Sequence, residues 1–133
     1  MTYDKDIKIL FFISKKAINM KNIEKMQEYR EKMNDLILNA DNKNIKRFFA
    51  IDHNIYKQGA LDKKTKELMG LVASIVLRCN DCIFYHLDQC IKEKVTPEEL
   101  YETLSIALIV GGSTTIPHLR YIFGLLEEMK YEK

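Results

Sequence analysis

The chain has 133 residues, 47% hydrophobic and 30% charged, with only five Gly and two Pro. Its 21 basic and 19 acidic residues leave a net charge of +2. That is too neutral for a nucleic-acid or anionic-lipid binder, and no basic stripe carries interleaved aromatics. The longest apolar stretch, LMGLVASIVL, covers ten residues, short of the ~18 a membrane-crossing helix requires.

The length fits one compact domain spanning residues 1–133, large enough to fold without a staple. Few breakers and no two-residue alternation of hydrophobicity favour helices. From Ile7 to Ile18 the apolar positions 7, 10, 11 and 18 suit a first helix. A second runs from Lys21 to Asn39, with Ile23, Met26, Met33, Leu36 and Ile37 on one side. NADNKN (39–44) supplies a loop and an Asn or Asp cap. A third stripe follows at Ile45, Phe48, Phe49, Ile55 and Tyr56, closed by Gly59 as a left-handed helix end.

Asp62 suits the cap of a fourth helix reaching Arg78, with an inner face of Leu68, Met69, Val72, Ile75 and Val76. Gly70, Ala73 and Ser74, three and four apart, would let another helix approach closely. The next helix carries RCNDCIFYH to about Lys94. VTPEEL then reads as a capping box, with Thr96 at the cap, Pro97 in the first turn and Glu99 three beyond the cap. That helix runs to Val110, is broken at Gly111-Gly112, and a last one follows through PHLRYIFGLLEEMK. The reading is an all-α domain of six to seven helices.

Cys79, Cys82 and His86 fall three and four apart, so on a helix two sulfurs and an imidazole share one side. Asn80 and Asp81 are capping residues between the cysteines, placing the helix start there. A helix N-terminus stabilises a thiolate, and His86 one turn beyond Cys82 stands ready to take its proton. Three readings compete for this pattern: an activated dithiol, a half metal site, and buried packing. Structural zinc wants four ligands. Cys90 as the fourth lies ~16 Å along the helix from Cys79, while His53 and His118 have no paired ligand nearby, so no metal is expected. Cys90 reads as a buried core thiol. His53 reads as a surface residue. His118 and Arg120 read as a helix start with a surface histidine, or as groups at a site mouth or subunit contact. An odd cysteine count, with acids ahead of the short apolar run in MTYDKDIKILFFISKK, is unlike a secreted disulfide scaffold and points to a reducing cytoplasm.

Two longer stretches, GALDKKTKELMGLVASIVLRCNDCIFYHL and VTPEELYETLSIALIVGGSTTIPHLR, resemble the AhpD-like alkylhydroperoxidase and carboxymuconolactone decarboxylase family in its redox-active CxxC branch. The resemblance rests on LDKKTKEL, the C-x-x-C-x-x-x-H core, the T-P-E-E helix start and the Gly-Gly after an apolar helix. It runs from about Phe48 to Glu127, giving a core at 48–127 and an N-terminal helical extension at 1–40.

The resemblance implies an all-helical oligomer, a trimer or hexamer, in which two cysteines cycle between dithiol and disulfide. By that match Cys82 attacks a hydroperoxide and Cys79 resolves the intermediate. Glu67 joins His86 in a proton relay, directly or through a water, although on its own Glu67 also reads as a solvated residue of the charged turn DKKTKE. No metal, flavin or nicotinamide is implied; a partner dithiol restores the thiols, and hydroperoxide or a small disulfide is the substrate. Asp81 departs from the best-known peroxidase members, which carry a histidine there, and a carboxylate beside Cys82 disfavours its thiolate. Two other readings therefore stand beside the peroxidase: a disulfide reductase with little peroxidase activity, and a non-catalytic helical oligomer acting as a binding module. The decarboxylase branch lacks the cysteine pair.

Overall fold

A computed structural model of the chain describes residues 22–131. These form six α-helices and no strand: α1 (22–38), α2 (Lys43–Ile55), α3 (Lys63–Val76), α4 (Asn80–Lys92), α5 (Pro97–Gly111) and α6 (Ile116–Glu128). A single 3-10 turn, Ser113–Thr115, separates α5 from α6. The all-α expectation holds. The helix expected over 7–18 lies outside the described residues.

Three of the helices, α2, α3 and α5, start where short polar side chains satisfy their first N–H groups. Asn42 accepts from the amides of Asn44 and Ile45 at α2, and Asp62 accepts from Thr65 at α3. Thr96 and Glu99 form the expected capping box at α5, with Pro97 in its first turn.

The ends are less orthodox. At the end of α3, the Cys79 amide donates to the Ser74 carbonyl at 3.1 Å and the Arg78 amide to that of Ile75 at 3.0 Å. This is a Schellman closure with Arg78 left-handed at φ 58°. The same pair of bonds recurs around Lys94 (φ 57°) after α4 and Lys130 (φ 53°) after α6. Gly59, expected to end α2 in the left-handed region, does not: α2 stops at Tyr56 in ordinary helical geometry, and only Gly112 among the glycines has positive φ.

The core forms on an antiparallel α3–α4 pair, created by the reversal at Arg78, with α5 packed on α3 and α6 on α4. Leu71 and Ile75 of α3 meet Ile83, Phe84, Leu87 and Cys90 of α4, joined by Leu100, Leu104 and Ala107 of α5 and Ile122, Leu125 and Leu126 of α6. From α1, Ile23 enters this core and Met26 packs against it.

Two expected faces are displaced. The buried face of α3 is Glu67, Gly70, Leu71, Ser74 and Ile75, whereas Met69 is exposed and Leu68, Val72 and Val76 only half-buried. The helix is rotated because Gly70 lies directly against His86 of α4, which turns Leu71 and Ile75 into the core with it. In α2 no residue is buried, and Ile45, Phe48 and Ile55 of the apolar stripe stand in solvent. On α1, Leu36 and Ile37 are likewise exposed.

Candidate active site

The reversal at Arg78 sets the chemistry of the next three residues. Cys79 is itself the N-cap of α4, and its sulfur accepts the Cys82 amide at 3.3 Å. Asn80 and Asp81, expected as caps, are instead the first residues inside the helix. Cys79 and Cys82 are joined as a disulfide, with Cα atoms 5.3 Å apart. Three-residue spacing on one helix face makes that bridge geometrically natural. Cys82 is exposed and Cys79 half-buried, so the pair opens to solvent at the start of α4.

One turn inward lies His86. Its Nδ1 is 2.8 Å from Glu67 Oε2, a direct contact from α4 to α3 with no bridge between them. Glu67 is fully buried rather than solvated. A buried carboxylate is tolerated only when paired, and the imidazole is that pair. The second oxygen, Oε1, is buried and has no hydrogen-bond partner within the protein. With Nδ1–H donated to the carboxylate, Nε2 carries the lone pair, and the Tyr56 hydroxyl stands 3.5 Å from it.

Close approach of the two helices makes this contact possible. A Cβ on Gly70 would fall 2.6 Å from His86 Cε1, 2.8 Å from Nδ1 and 2.9 Å from the Tyr56 oxygen. Rings complete the enclosure. Tyr56 is tilted against His86 at 5.2 Å and Tyr85 meets it edge-on at 5.1 Å. Burial, helped by the Glu67 carboxylate, raises both phenol pKa values, so Tyr56 and Tyr85 remain neutral donors across the physiological range. A pocket of about 220 Å³, lined by Tyr56, Tyr85, Asp52, His53 and Lys57, opens onto Glu67 from the α2 side. His53, expected at the surface, is an exposed residue of its rim.

Asp81 is not the unopposed carboxylate that the sequence suggests. Arg30 of α1 forms an ion pair with it. His118 of α6 bonds Asn80 through Nδ1 at 2.7 Å, so the loop-side histidine sits at the cysteine helix rather than alone. Arg120 is exposed. Cys90 is a buried core thiol as expected, and burial pushes it up to about 12. Among the described residues no group of three or more His, Cys, Asp or Glu is placed to hold a metal ion.

Of the four sequence-designated residues, the fold brings Glu67 and His86 into contact and joins Cys79 to Cys82. Tyr56, Tyr85 and Arg30 join the site only through the fold. Tyr56 and Tyr85 carried only an apolar signal, and Arg30 lies on a segment without any motif.

Comparison with known proteins matches residues 44–123 to the model of the carboxymuconolactone decarboxylase family. Two crystal structures of a Thermotoga maritima protein of that family superpose with TM-scores of 0.78 and 0.76 at 54% identity. They cover 80% of this chain and 94% and 90% of theirs. A Legionella pneumophila protein of the same family gives 0.57 at 32% identity, over 87% of this chain and 95% of that one. The alkyl hydroperoxide reductase AhpD of Corynebacterium aurimucosum is 32% identical over 62 residues, covering 47% of this chain and only 35% of that relative.

Proposed function

The chain belongs to the carboxymuconolactone decarboxylase family, and from that premise we propose that it is a thiol–disulfide oxidoreductase reducing hydroperoxides through a Cys79–Cys82 dithiol/disulfide cycle. The observation that carries the reading is the buried Glu67 in direct contact with His86, one helical turn inward from an exposed cysteine disulfide. A carboxylate–imidazole pair buried beside a sulfur couple has the composition of a proton relay.

In the reduced protein, His86 accepts the Cys82 thiol proton and Glu67 stabilises the resulting imidazolium. The Cys82 thiolate attacks the distal peroxide oxygen, the O–O bond breaks, and the alkoxide leaves as an alcohol with a proton. Cys82 is then a sulfenic acid. The Cys79 thiol attacks it, the S–S bond forms, and water leaves. A partner dithiol returns both thiols by exchange and is itself oxidised to a disulfide. The need for continual re-reduction suits a cytoplasmic setting. Ile23 in the core supports a single domain in which the N-terminal extension packs on the family-matched part.

An antioxidative role has been suggested for the Thermotoga maritima relative, in keeping with this reading. The AhpD relatives are matched over about a third of their length, so their activity is a guide to reaction class alone. The test is thiol-dependent hydroperoxide consumption by wild type and by Cys82→Ser, Cys79→Ser and Glu67→Gln. Loss of turnover in both cysteine variants is expected, with a fall of about 10²-fold or more in Glu67→Gln. Equal, near-zero rates in all four would remove the peroxidase reading. Retained exchange with small disulfides would then leave a reductase, and inert cysteines a binding module.

A further inference from the structure

Helix α1 lies outside the family-matched segment, yet it delivers a cation to the cysteine pair. Arg30 Nη1 is ion-paired with Asp81 Oδ2 and lies 3.4 Å from the Asp81 carbonyl oxygen. Its guanidinium also stacks over the Tyr85 ring, 5.1 Å from the centroid. Gln27, one turn earlier, donates to Asp88 of α4 at 3.2 Å and fixes the register of the two helices. An exposed ion pair is ordinarily worth little, because two free side chains must be ordered and salt screens them. Here the cation is already held: the Arg30 side chain is only 24% exposed against 73% for Asp81. Stacking and a planar fork cut what Arg30 has left to lose.

Asp81 immediately precedes Cys82 and lies between the two sulfurs in the chain. Reduction adds two electrons and one proton to the disulfide, giving a Cys82 thiolate and a Cys79 thiol. The new negative charge therefore exists only in the reduced state, and a neighbouring carboxylate opposes it. Among the described residues, His118 and Tyr121 of α6 also face this end of α4, Arg78 immediately precedes Cys79, and the Glu67–His86 pair lies one turn inward. Of these groups and Arg30, the Arg30 guanidinium is the one ion-paired with Asp81.

We propose that Arg30 is a positioning residue for the redox couple, which neutralises Asp81 and so favours the reduced, thiolate-bearing form over the disulfide. This rests on the reading of Cys79–Cys82 as a working dithiol/disulfide pair, but not on peroxide being the oxidant. It gives the N-terminal extension a chemical role and explains how the chain carries an acid beside its exposed cysteine.

The full chain is equilibrated with glutathione buffers, in which two glutathione thiols reduce the disulfide and leave as glutathione disulfide. The oxidised fraction is read by thiol alkylation and intact mass. Arg30→Gln is expected to shift the equilibrium about threefold to tenfold toward the disulfide, equivalent to ~15–30 mV. Asp81→Asn is expected to shift it the opposite way, and Arg30→Lys, which keeps the charge, to stay within about twofold of wild type. The Arg30→Gln shift is expected to shrink in ~1 M salt, where the Debye length is ~3 Å. Unchanged potentials in Arg30→Gln and Asp81→Asn would overturn the proposal. So would equal shifts in Arg30→Gln and Arg30→Lys, which mark loss of packing rather than of charge. Shifted potentials in a protein that consumes no hydroperoxide would leave the proposal standing and remove the peroxidase reading instead.

Discussion

At Gly70 the backbone of α3 lies against the His86 ring, with no room for a methyl group. Alanine there would gain helix propensity of about 1 kcal/mol but overpack the ring by ~1–3 kcal/mol. Because Glu67 and Tyr56 hold the ring, it has no free direction in which to yield. Gly70→Ala is therefore expected to lower stability by about 1 kcal/mol in urea unfolding and to reduce hydroperoxide turnover about tenfold or more. A variant both more stable and fully active would show that His86 relaxes freely. Cys90 supports a separate expectation, because burial raises its thiol from 9.0 to about 12. Between those values the folded state keeps a proton that the unfolded state has lost. Stability is then complete below about pH 9 and falls by ~1.4 kcal/mol per pH unit above it. Urea titrations of the oxidised protein, whose other two cysteines do not titrate, are expected to show this slope. Cys90→Ala is expected to flatten it by one proton, leaving the contribution of the half-buried tyrosines, whose pKa values burial also raises. An identical slope in the variant would assign the effect elsewhere.

The helices illustrate which signals survive in a sequence. The start of α4 falls at Cys79 rather than at the expected Asn80 or Asp81, but the starts of α2, α3 and α5 were legible, because Asn42, Asp62 and Thr96 each satisfy a helix start with a side chain whose chemistry is visible in one letter. Ends were not. Glycine marks a left-handed closure by its lack of Cβ, but here Arg78, Lys94 and Lys130 take that conformation and the marker vanishes. Lys94 is exposed and outside any hydrogen bond of its side chain among the described residues. Lys94→Gly is therefore expected to stabilise the protein by about 0.5–1 kcal/mol in thermal or urea unfolding. A loss of stability would mean that the flexibility glycine adds to the unfolded chain outweighs the relieved strain. Faces were half legible. Periodicity located α3, but Leu68 and Met69 lie off its buried side, because the close approach of Gly70 to His86 of α4 turns Leu71 and Ile75 inward instead. For the same reason Glu67 resembled a solvated residue: what buries it is a histidine nineteen positions on, which no local pattern encodes. The cysteines and His86 were readable because their geometry is confined to one helix. Arg30 was not, since its relation to Asp81 exists only once α1 lies on α4.

Across the molecule, many large apolar side chains among the described residues are exposed. Phe48 and Ile51 of α2, Leu77 after α3 and Ile109 and Val110 of α5 are all more than half exposed. A groove of about 490 Å³ between α3 and α5 is walled by Leu68, Met69, Val72, Val76, Ile106 and Val110. Soluble monomers seldom leave so many large side chains in water, and self-association into a closed ring of copies would cover them. Sedimentation velocity is expected to show a trimer or hexamer, and Phe48→Glu with Ile109→Glu to reduce it to smaller species. A wild-type chain that sediments as a monomer at all concentrations would reject this expectation.

The cap sulfur of α4 has one more consequence. The Cys82 N–H points at Cys79 Sγ, so the acceptor it meets changes from a bonded sulfur to a thiol or thiolate whenever the bridge opens. A single amide resonance thus follows the electron count of the couple, and an isotope-labelled sample would report oxidation in real time without dye, tag or added reagent.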